Sequence, residues 1–444
     1  MVTLSDVPTF NLKAVVQETG LKPDTLRVWE RRYGVPEPAR TPGGHRLYSE
    51  RDIAALKWLL ARKAEGLAVS RAVALWKQML DQGEDPILAG PAGPDRPAQL
   101  SLLTGEEIDL LRNLWIDACL AYDESSAEMV LNQAFALFPP ETVVMQLLQR
   151  ALSQIGDAWC RGAATVQQEH FASHLALRRL DALVQAAPAP HRPGRVLVAC
   201  PPAEEHTFSS LVIVLLLRRR GLQVVYLGAN VPHDRMTPTL RSVRPHLVIM
   251  SAQRLYPAST LCDVAQRLRA QQIPLGYGGL IFNQLPGLRQ RIPGHFLGES
   301  LDMVVLSVEQ MLEAPHVVDA AVQPGRDHQL ALAHYLNLQP HIESWLWEHT
   351  AALAVPHSVL ASANLHLSEA IKGALRLGDM DLLGADIGFV MGILTNDYLP
   401  VAKLQVYLRQ YCQATRELTD ERGRLVVDWF ERILAFPPAQ RSSE

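Results

Sequence analysis

Arg195-Val196-Leu197-Val198-Ala199-Cys200, continuing as Pro201-Pro202-Ala203-Glu204-Glu205-His206-Thr207-Phe208-Ser209, reads as an apolar strand that runs into a polar turn. An apolar run without alternation suits a strand buried on both faces, as in parallel sheets. Open α/β sheets bind ligands beyond the carboxyl ends of their strands, where Glu204 and His206 stand. An imidazole there can reach a metal, and a carboxylate two residues earlier can orient its other nitrogen. Upstream, Trp159 is followed after nine residues by Glu169-His170. Trp159, Val166, Glu169 and His170 fall on roughly one helix face if the pattern breaks at Gly162. Two separate pieces are expected to face one ligand.

Downstream, Gln223 to Leu227, His246 to Ser251, Ile273 to Tyr277 and His295 to Gly298 are further short apolar runs with helical patterns between them. Five βα repeats imply a parallel sheet with helices on both faces. No GxGxxG follows the first strand, so a dinucleotide ligand has little support. Ser251, Gly278 and Gly279 lie at strand ends, and small residues there leave an open slot beside the sheet. Taken alone, Trp159 is at home in a helix core and His206 on a surface.

Glu204-x-His206-x-x-Ser209, Ser251-Ala252-Gln253 and Gly278-Gly279 together resemble the cobalamin-binding Rossmann domains, which carry Asp-x-His-x-x-Gly, Ser-x-Leu and a Gly-Gly pair. The Trp159-x9-Glu169-His170 segment is similar to the cap of cobalamin-dependent photoreceptor repressors of the CarH/CarA/LitR type. With the N-terminal segment the resemblance spans about residues 8 to 312. It implies cobalamin, as adenosylcobalamin, with His206 as the lower metal ligand and Trp159, Val166, Glu169 and His170 over the upper face. Three residues of the Rossmann pattern depart from it, Glu204 for Asp, Ser209 for Gly and Gln253 for Leu. Cys160 stands where such proteins commonly carry a His that takes the upper cobalt position after light has removed the adenosyl group. A thiolate binds cobalt, but a neutral thiol in an apolar pocket is a poorer ligand. The illuminated state is thus left open between water, Cys160 and His170.

At the N-terminus, Asn11 to Glu18 reads as a short helix stopped by Gly20, and Pro23 opens a second helix to about Tyr33. Two short helices across a tight turn make a helix-turn-helix whose second helix can enter the major groove. Arg40-Thr41-Pro42-Gly43-Gly44-His45-Arg46-Leu47-Tyr48 suits a hairpin wing against phosphates. Ser49 and Asp52 form a capping-box signature for the next helix. Between Lys22 and Arg46 six Lys/Arg face three Asp/Glu, an excess that a solvated face could also carry. The dense pattern from Thr25 to Tyr48 resembles the MerR winged helix, which implies DNA contacts by Arg27, Arg31, Arg32, Tyr33, Arg40, His45, Arg46 and Tyr48, with Leu26 and Trp29 in the core. MerR-type proteins usually bind DNA as dimers, so a homo-oligomer is expected.

The fold class expected is a multidomain α and α/β chain. Residues 1–82 form the winged helix-turn-helix and 83–103 a Gly/Pro-rich linker. Residues 104–190 form a four-helix-bundle cap, with helical patterns over Glu106 to Tyr122, Ser125 to Ala136, Pro139 to Arg161 and Thr165 to Ala186. Residues 191–314 form the Rossmann-like cobalamin-binding domain, 315–327 a second linker, and 328–444 an all-α domain outside the resemblance. In that last region His328, His334, His341, His349, His357 and His366, with Trp345 and Trp347, could hold a second tetrapyrrole, but oligomerisation or partner binding fits scattered helix histidines better.

The 444 residues, 48% apolar and 20% charged, allow each domain a core. No apolar run approaches the roughly 18 residues of a membrane span and no signal-peptide pattern opens the chain, so a cytoplasmic protein is expected. Five scattered cysteines without a CxxC pair argue against a disulfide framework or a zinc site. The reading is a cobalamin-dependent, light-responsive transcriptional regulator, a repressor of operator DNA and no enzyme. Two rivals keep the DNA head: a dark cobalamin or redox sensor, and a cobalamin-independent regulator gated by a partner protein. A methyltransferase or mutase subunit would share the Rossmann motif without that head.

Overall fold

The computed structural model describes residues 7–36, 38–40, 46–64, 69–81, 100–318, 322–350, 355–384, 387 and 401–435. These fall into two compact units, 1–151 and 152–444.

The first unit opens with the head: β1 (Phe10–Asn11), α1 (Leu12–Thr19), α2 (Pro23–Tyr33), β2 (Ala39–Arg40), β3 (Arg46–Tyr48), α3 (Glu50–Ala64) and α4 (Val69–Asp81). The boundaries follow local chemistry. Asn11 caps α1 by accepting from Ala14 N, Pro23 occupies the first position of α2, and Gly20 and Gly34 close the two helices at positive φ. Ser49 and Asp52 exchange the two bonds of a capping box at the start of α3. Both β1 and β2 pair antiparallel with β3, which makes the wing. Leu26, Trp29, Leu56, Leu59 and Trp76 gather in its core.

Beyond the head, α5 (Leu100–Leu120) and α6 (Glu124–Leu137) lead into a continuous helical rod from Pro140 to Cys160. The rod starts as α7 (Pro140–Thr142), widens to a π-helix over Val143–Gln149 and continues as α8 (Arg150–Cys160). Ile108, Leu111, Trp115 and Cys119 of α5 are buried at helical spacing, as are Ala127, Leu131 and Ala134 of α6 and Val143, Val144, Leu147 and Leu148 of the rod. The linker expected at 83–103 lies outside the described residues up to 99, and its last four residues belong to α5.

In the second unit α8 ends at Cys160, and α9 (Val166–Gln185) begins after a turn closed by Gly162 at φ +71°. A Thr165–Gln168 capping box starts α9. The sheet comprises β4 (Arg195–Ala199), β5 (Gln223–Tyr226), β6 (Leu247–Ser251), β7 (Leu275–Gly278) and β8 (His295–Phe296), all parallel, in the order β5-β4-β6-β7-β8. Its connecting helices are α10 (Phe208–Arg219), α11 (Met236–Val243), α12 (Leu255–Ala270), α13 (Leu280–Gln284) and α14 (Leu301–Glu313). The strand order reverses between β4 and β6, so their carboxyl ends part and leave a crevice.

The C-terminal region supplies α15 (Arg326–His349), α16 (His357–Leu377), α17 (Val401–Leu418) and α18 (Arg424–Ala435). The helix expected over Asp379 to Leu394 lies largely outside the described residues; Met380–Leu382 is a 3-10 turn. These helices share one hydrophobic core with the sheet, running from Leu197 and Val248 through Leu261 and Leu268 to Leu367, Leu404 and Phe430. A helix on a sheet usually keeps a polar outer stripe. By contrast α12 buries Leu255, Pro257, Ala258, Ser259, Thr260, Leu261, Val264, Ala265 and Leu268, because α16 covers its outer side.

Candidate functional site

The crevice between β4 and β6 is held by one carboxylate. Glu204, wholly buried in the loop after β4, accepts from His206 N at 2.8 Å and from His206 Nδ1 at 2.7 Å through Oε1. Its Oε2 accepts from Gln253 N, in the loop after β6, at 2.6 Å. Glu204 therefore ties the two strand ends together and fixes the histidine tautomer. Because Nδ1 carries the proton toward Glu204, Nε2 bears the lone pair, and the His206 side chain is 63% exposed. That is the form and orientation a metal needs.

The hydrogen bond to Glu204 also stabilises the imidazolium, which raises the His206 pKa above the ordinary histidine value; burial and Arg254 oppose this, and Glu169 adds to it. The influence of Glu169 brings the α9 motif into the electrostatic range of His206. Glu169 itself is tied to Ser173 Oγ at 2.5 Å and to His170 Nδ1 at 2.7 Å. Its neighbour His170 is exposed. Trp159, half-buried, and Cys160, exposed, end α8, while Val166, Glu169 and His170 lie in the first turns of α9. The four motif positions thus belong to two helices joined at a glycine turn, with the expected break at Gly162. Packing around Cys160 and the Asp157 carboxylate push its thiol pKa up, which keeps it protonated.

The floor of the crevice is built of small residues. Ser251 Oγ bonds Ser210 Oγ at 2.8 Å, and Ser210 lies 3.4 Å from Cys200 Sγ. Ser209, half-buried, opens α10 beside them. Gly279 takes φ +122°, and a Cβ there would come 2.0 Å from Ala252 O, so only glycine lets the β7 corner approach the β6 corner. A Cβ at Gly278 would meet no atom within 4 Å, which leaves open space at the end of β7. Gln253 Oε1 accepts from Leu280 N at 3.0 Å, a bond that sets the amide's orientation and leaves its buried Nε2 donor unsatisfied among the described residues. An outward imidazole, a small-residue slot and a spare buried donor fit a corrin with a nucleotide tail.

Sequence reasoning reached Glu204, His206, Ser251 and the glycines, but missed the partners that bind them. A backbone N–H such as that of Gln253 has no sequence signature. Ser210 sat unnoticed beside Ser209, and Asn230, whose Oδ1 accepts from Ala203 N at 2.9 Å, lies far along the chain.

In the head, Arg27, Arg31, Arg32 and Arg40 are exposed, and Arg27 and Arg31 share a helix face. Tyr33 is half-buried beneath the Arg32 guanidinium, 5.6 Å from its ring centroid. Arg46 reaches from the wing to Glu30 of α2 with its Nε 2.8 and 2.9 Å from the two oxygens, which locks wing to helix. His45 lies outside the described residues. Tyr48, expected at the DNA, is wholly enclosed in the head core with its hydroxyl unpaired among the described residues. It pairs with Phe10 across the sheet and faces inward, so it supports the wing without reaching a phosphate.

A helix-turn-helix head with a wing, joined to a parallel sheet that presents a carboxylate-held histidine at its switch point, defines a DNA-binding regulator with a B12-binding half. Residues 10–78 match the MerR HTH family of regulatory proteins, and residues 111–184 match a B12 binding domain. The chain is 33% identical to the HTH-type transcriptional repressor CarH of Myxococcus xanthus over 297 residues, 66% of this chain and 96% of that protein. It is 31% identical to the repressor CarA of the same organism over 278 residues, 61% of this chain and 87% of that protein. A monomethylamine corrinoid protein of Methanosarcina barkeri superimposes with a TM-score of 0.38 at 14% identity, covering 47% of this chain and all of that one. The chain belongs to the CarH/CarA family of MerR-type, B12-dependent transcriptional regulators. Among the described residues no helix is long and apolar enough to cross a membrane.

Proposed function

We propose that the protein is a light-responsive, cytoplasmic repressor that binds operator DNA as a homo-oligomer and holds adenosylcobalamin between the α8–α9 turn and the β4–β6 crevice. The observation that carries this reading is the Glu204 bridge, which aims the His206 Nε2 lone pair outward at the switch point of the sheet. His206 would hold the cobalt through Nε2. Ser209, Ser251, Gly278 and Gly279 would accommodate the nucleotide tail, and Trp159, Cys160, Val166, Glu169 and His170 would contact the corrin from the α8–α9 turn. Bound adenosylcobalamin would supply a cobalt–carbon bond that green or blue light breaks.

The chain's own part is a two-state response. A ligand can shift DNA affinity only by binding the DNA-competent assembly with a different affinity from the other assembly. The residues able to register a change on the upper side are Trp159 and the Glu169–His170 pair, at the end of the rod and the start of α9. On DNA, Arg27, Arg31, Arg32, Arg40 and His45 contact phosphates or bases, and Arg46 holds the wing against α2 through Glu30.

The test is the visible spectrum and size-exclusion profile of the protein with adenosylcobalamin, in the dark and after green light, with operator binding measured on both samples. Retained corrin with a change in spectrum, size and DNA affinity on illumination is the expected result. Corrin that is retained but indifferent to light would make the protein a dark sensor. Absence of retained corrin would leave a regulator gated by a partner protein.

A further inference from the structure

The corner between β6 and α12 ties three successive residues to three different elements. Ala252 N donates to Gly278 O at 3.0 Å, Gln253 N donates to Glu204 at 2.6 Å, and Arg254 Nη1 donates to His366 Nδ1 at 3.1 Å. His366 stands on α16, in the region beyond the family resemblance. A guanidinium only donates, so His366 must offer a lone pair at Nδ1 and remain neutral. Burial and the same Arg254 charge lower its pKa to about 4, in keeping with that role.

Further contacts hold α16 against the first turns of α12. A Cβ on Gly373 would lie 3.2 Å from the Leu255 and Tyr256 backbones, so the helices meet closely there. Lys372 Nζ sits 5.0 Å from the centroid of the Tyr256 ring, and Arg376 Nη1 bonds Asp263 at 2.7 Å. Arg291 reaches Leu377 O at 2.6 Å and Asp379 at 3.1 Å. The start of α12 is fixed from outside the sheet. That fixed start carries the backbone N–H that Glu204 needs.

We propose that His366 is a positioning residue for the lower cobalt ligand: by accepting from Arg254 it holds the corner through which Gln253 aligns Glu204, and Glu204 aligns His206. This rests on the reading of His206 as that ligand. The C-terminal region is then a working part of the corrin site, and anything that displaced α16 would reach the cobalt through three hydrogen bonds.

The experiment uses the full chain with hydroxocobalamin in the dark, recording the dissociation constant and the absorption bands that separate imidazole-on from imidazole-off corrin. His366→Leu removes the acceptor and is expected to weaken binding about five-fold, the effect of one hydrogen bond lost, with a larger imidazole-off fraction. His366→Asn places an amide oxygen near the lost Nδ1 and is expected to restore the wild-type spectrum. Arg254→Met removes the donor and should reproduce the His366→Leu shift if that variant folds poorly. In a His206→Ala background the His366→Leu effect should vanish, because the ligand it positions is gone. Identical spectra for wild type, His366→Leu and Arg254→Met would overturn the proposal, as would failure of His366→Asn to rescue. Wild-type protein that binds no corrin would overturn both this inference and the ligand assignment beneath it.

Discussion

Replacing Glu204 by Gln leaves shape and volume nearly unchanged but halves the acceptors at the centre of the crevice. The carboxylate takes three N–H bonds, from His206 N, His206 Nδ1 and Gln253 N. An amide with its oxygen toward His206 sets its NH2 against the Gln253 N–H across a 2.6 Å contact, donor to donor. Turned the other way, it leaves both His206 donors unmet. Either arrangement strands at least one donor, at about 1–3 kcal/mol, and losing the partner of a metal-ligating histidine weakens a site by about 10- to 100-fold. Cobalamin binding in the dark is therefore expected to fall about ten-fold near pH 8.

The pH profile makes the test specific. Glu204 raises the His206 pKa, and only neutral imidazole can ligate, so wild-type affinity is full above that raised value and declines as the pH falls through it. In Glu204→Gln the decline should begin lower, nearer the ordinary histidine value of about 6.5. The two affinity curves should thus converge as the solution is acidified. Absorbance titrations with hydroxocobalamin between about pH 5.5 and 9 would read both effects. A variant that binds within two-fold of wild type at about pH 8, with its pH midpoint unmoved, would refute the argument.

Arg31→Ala should weaken operator binding and lower the slope of log affinity against log salt by about one, as loss of one phosphate contact does; an unchanged slope in a gel-shift series would remove Arg31 from the interface. Gly279→Ala forces a side chain into a positive-φ site and against Ala252 O, so thermal unfolding should show a loss of about 2–4 kcal/mol together with weaker cobalamin retention. Tyr48→Phe deletes a hydroxyl that is buried without a partner among the described residues, and is expected to leave operator affinity unchanged and stability equal or higher; a loss of DNA binding would return Tyr48 to the interface.

Much of this arrangement was legible in the sequence because it is written in local signals. Pro23, Gly20 and the Ser49–Asp52 box place the head helices within a residue or two of where they lie. The five apolar runs mark the sheet, and His206 stands at the strand end where the reasoning put it. What could not be read depends on contacts between distant residues. The MerR resemblance puts Tyr48 at the DNA, yet it is wholly buried in the head core, a placement set by packing that its strand position alone does not reveal. Glu204 is joined to the corner after β6 by a backbone N–H at a sequence separation of 49, and no side-chain pattern announces such a bond. Nor does α12, which carries Asp263, Gln266, Arg267 and Arg269 among its apolar residues, announce in its sequence that α16 covers its outer side.

The single core shared by the sheet and the described C-terminal helices is expected to melt as one cooperative unit, whatever the Pro-rich stretch near Pro315 suggests about a seam. Heat or denaturant should dissolve Leu261 and Leu367 in the same transition. A chain cut at 314 would present the apolar side of α12 to water and invite aggregation. The C-terminal helices are thus not detachable: with Gly373 packed close on Leu255, losing them would cost the sheet domain one of its walls.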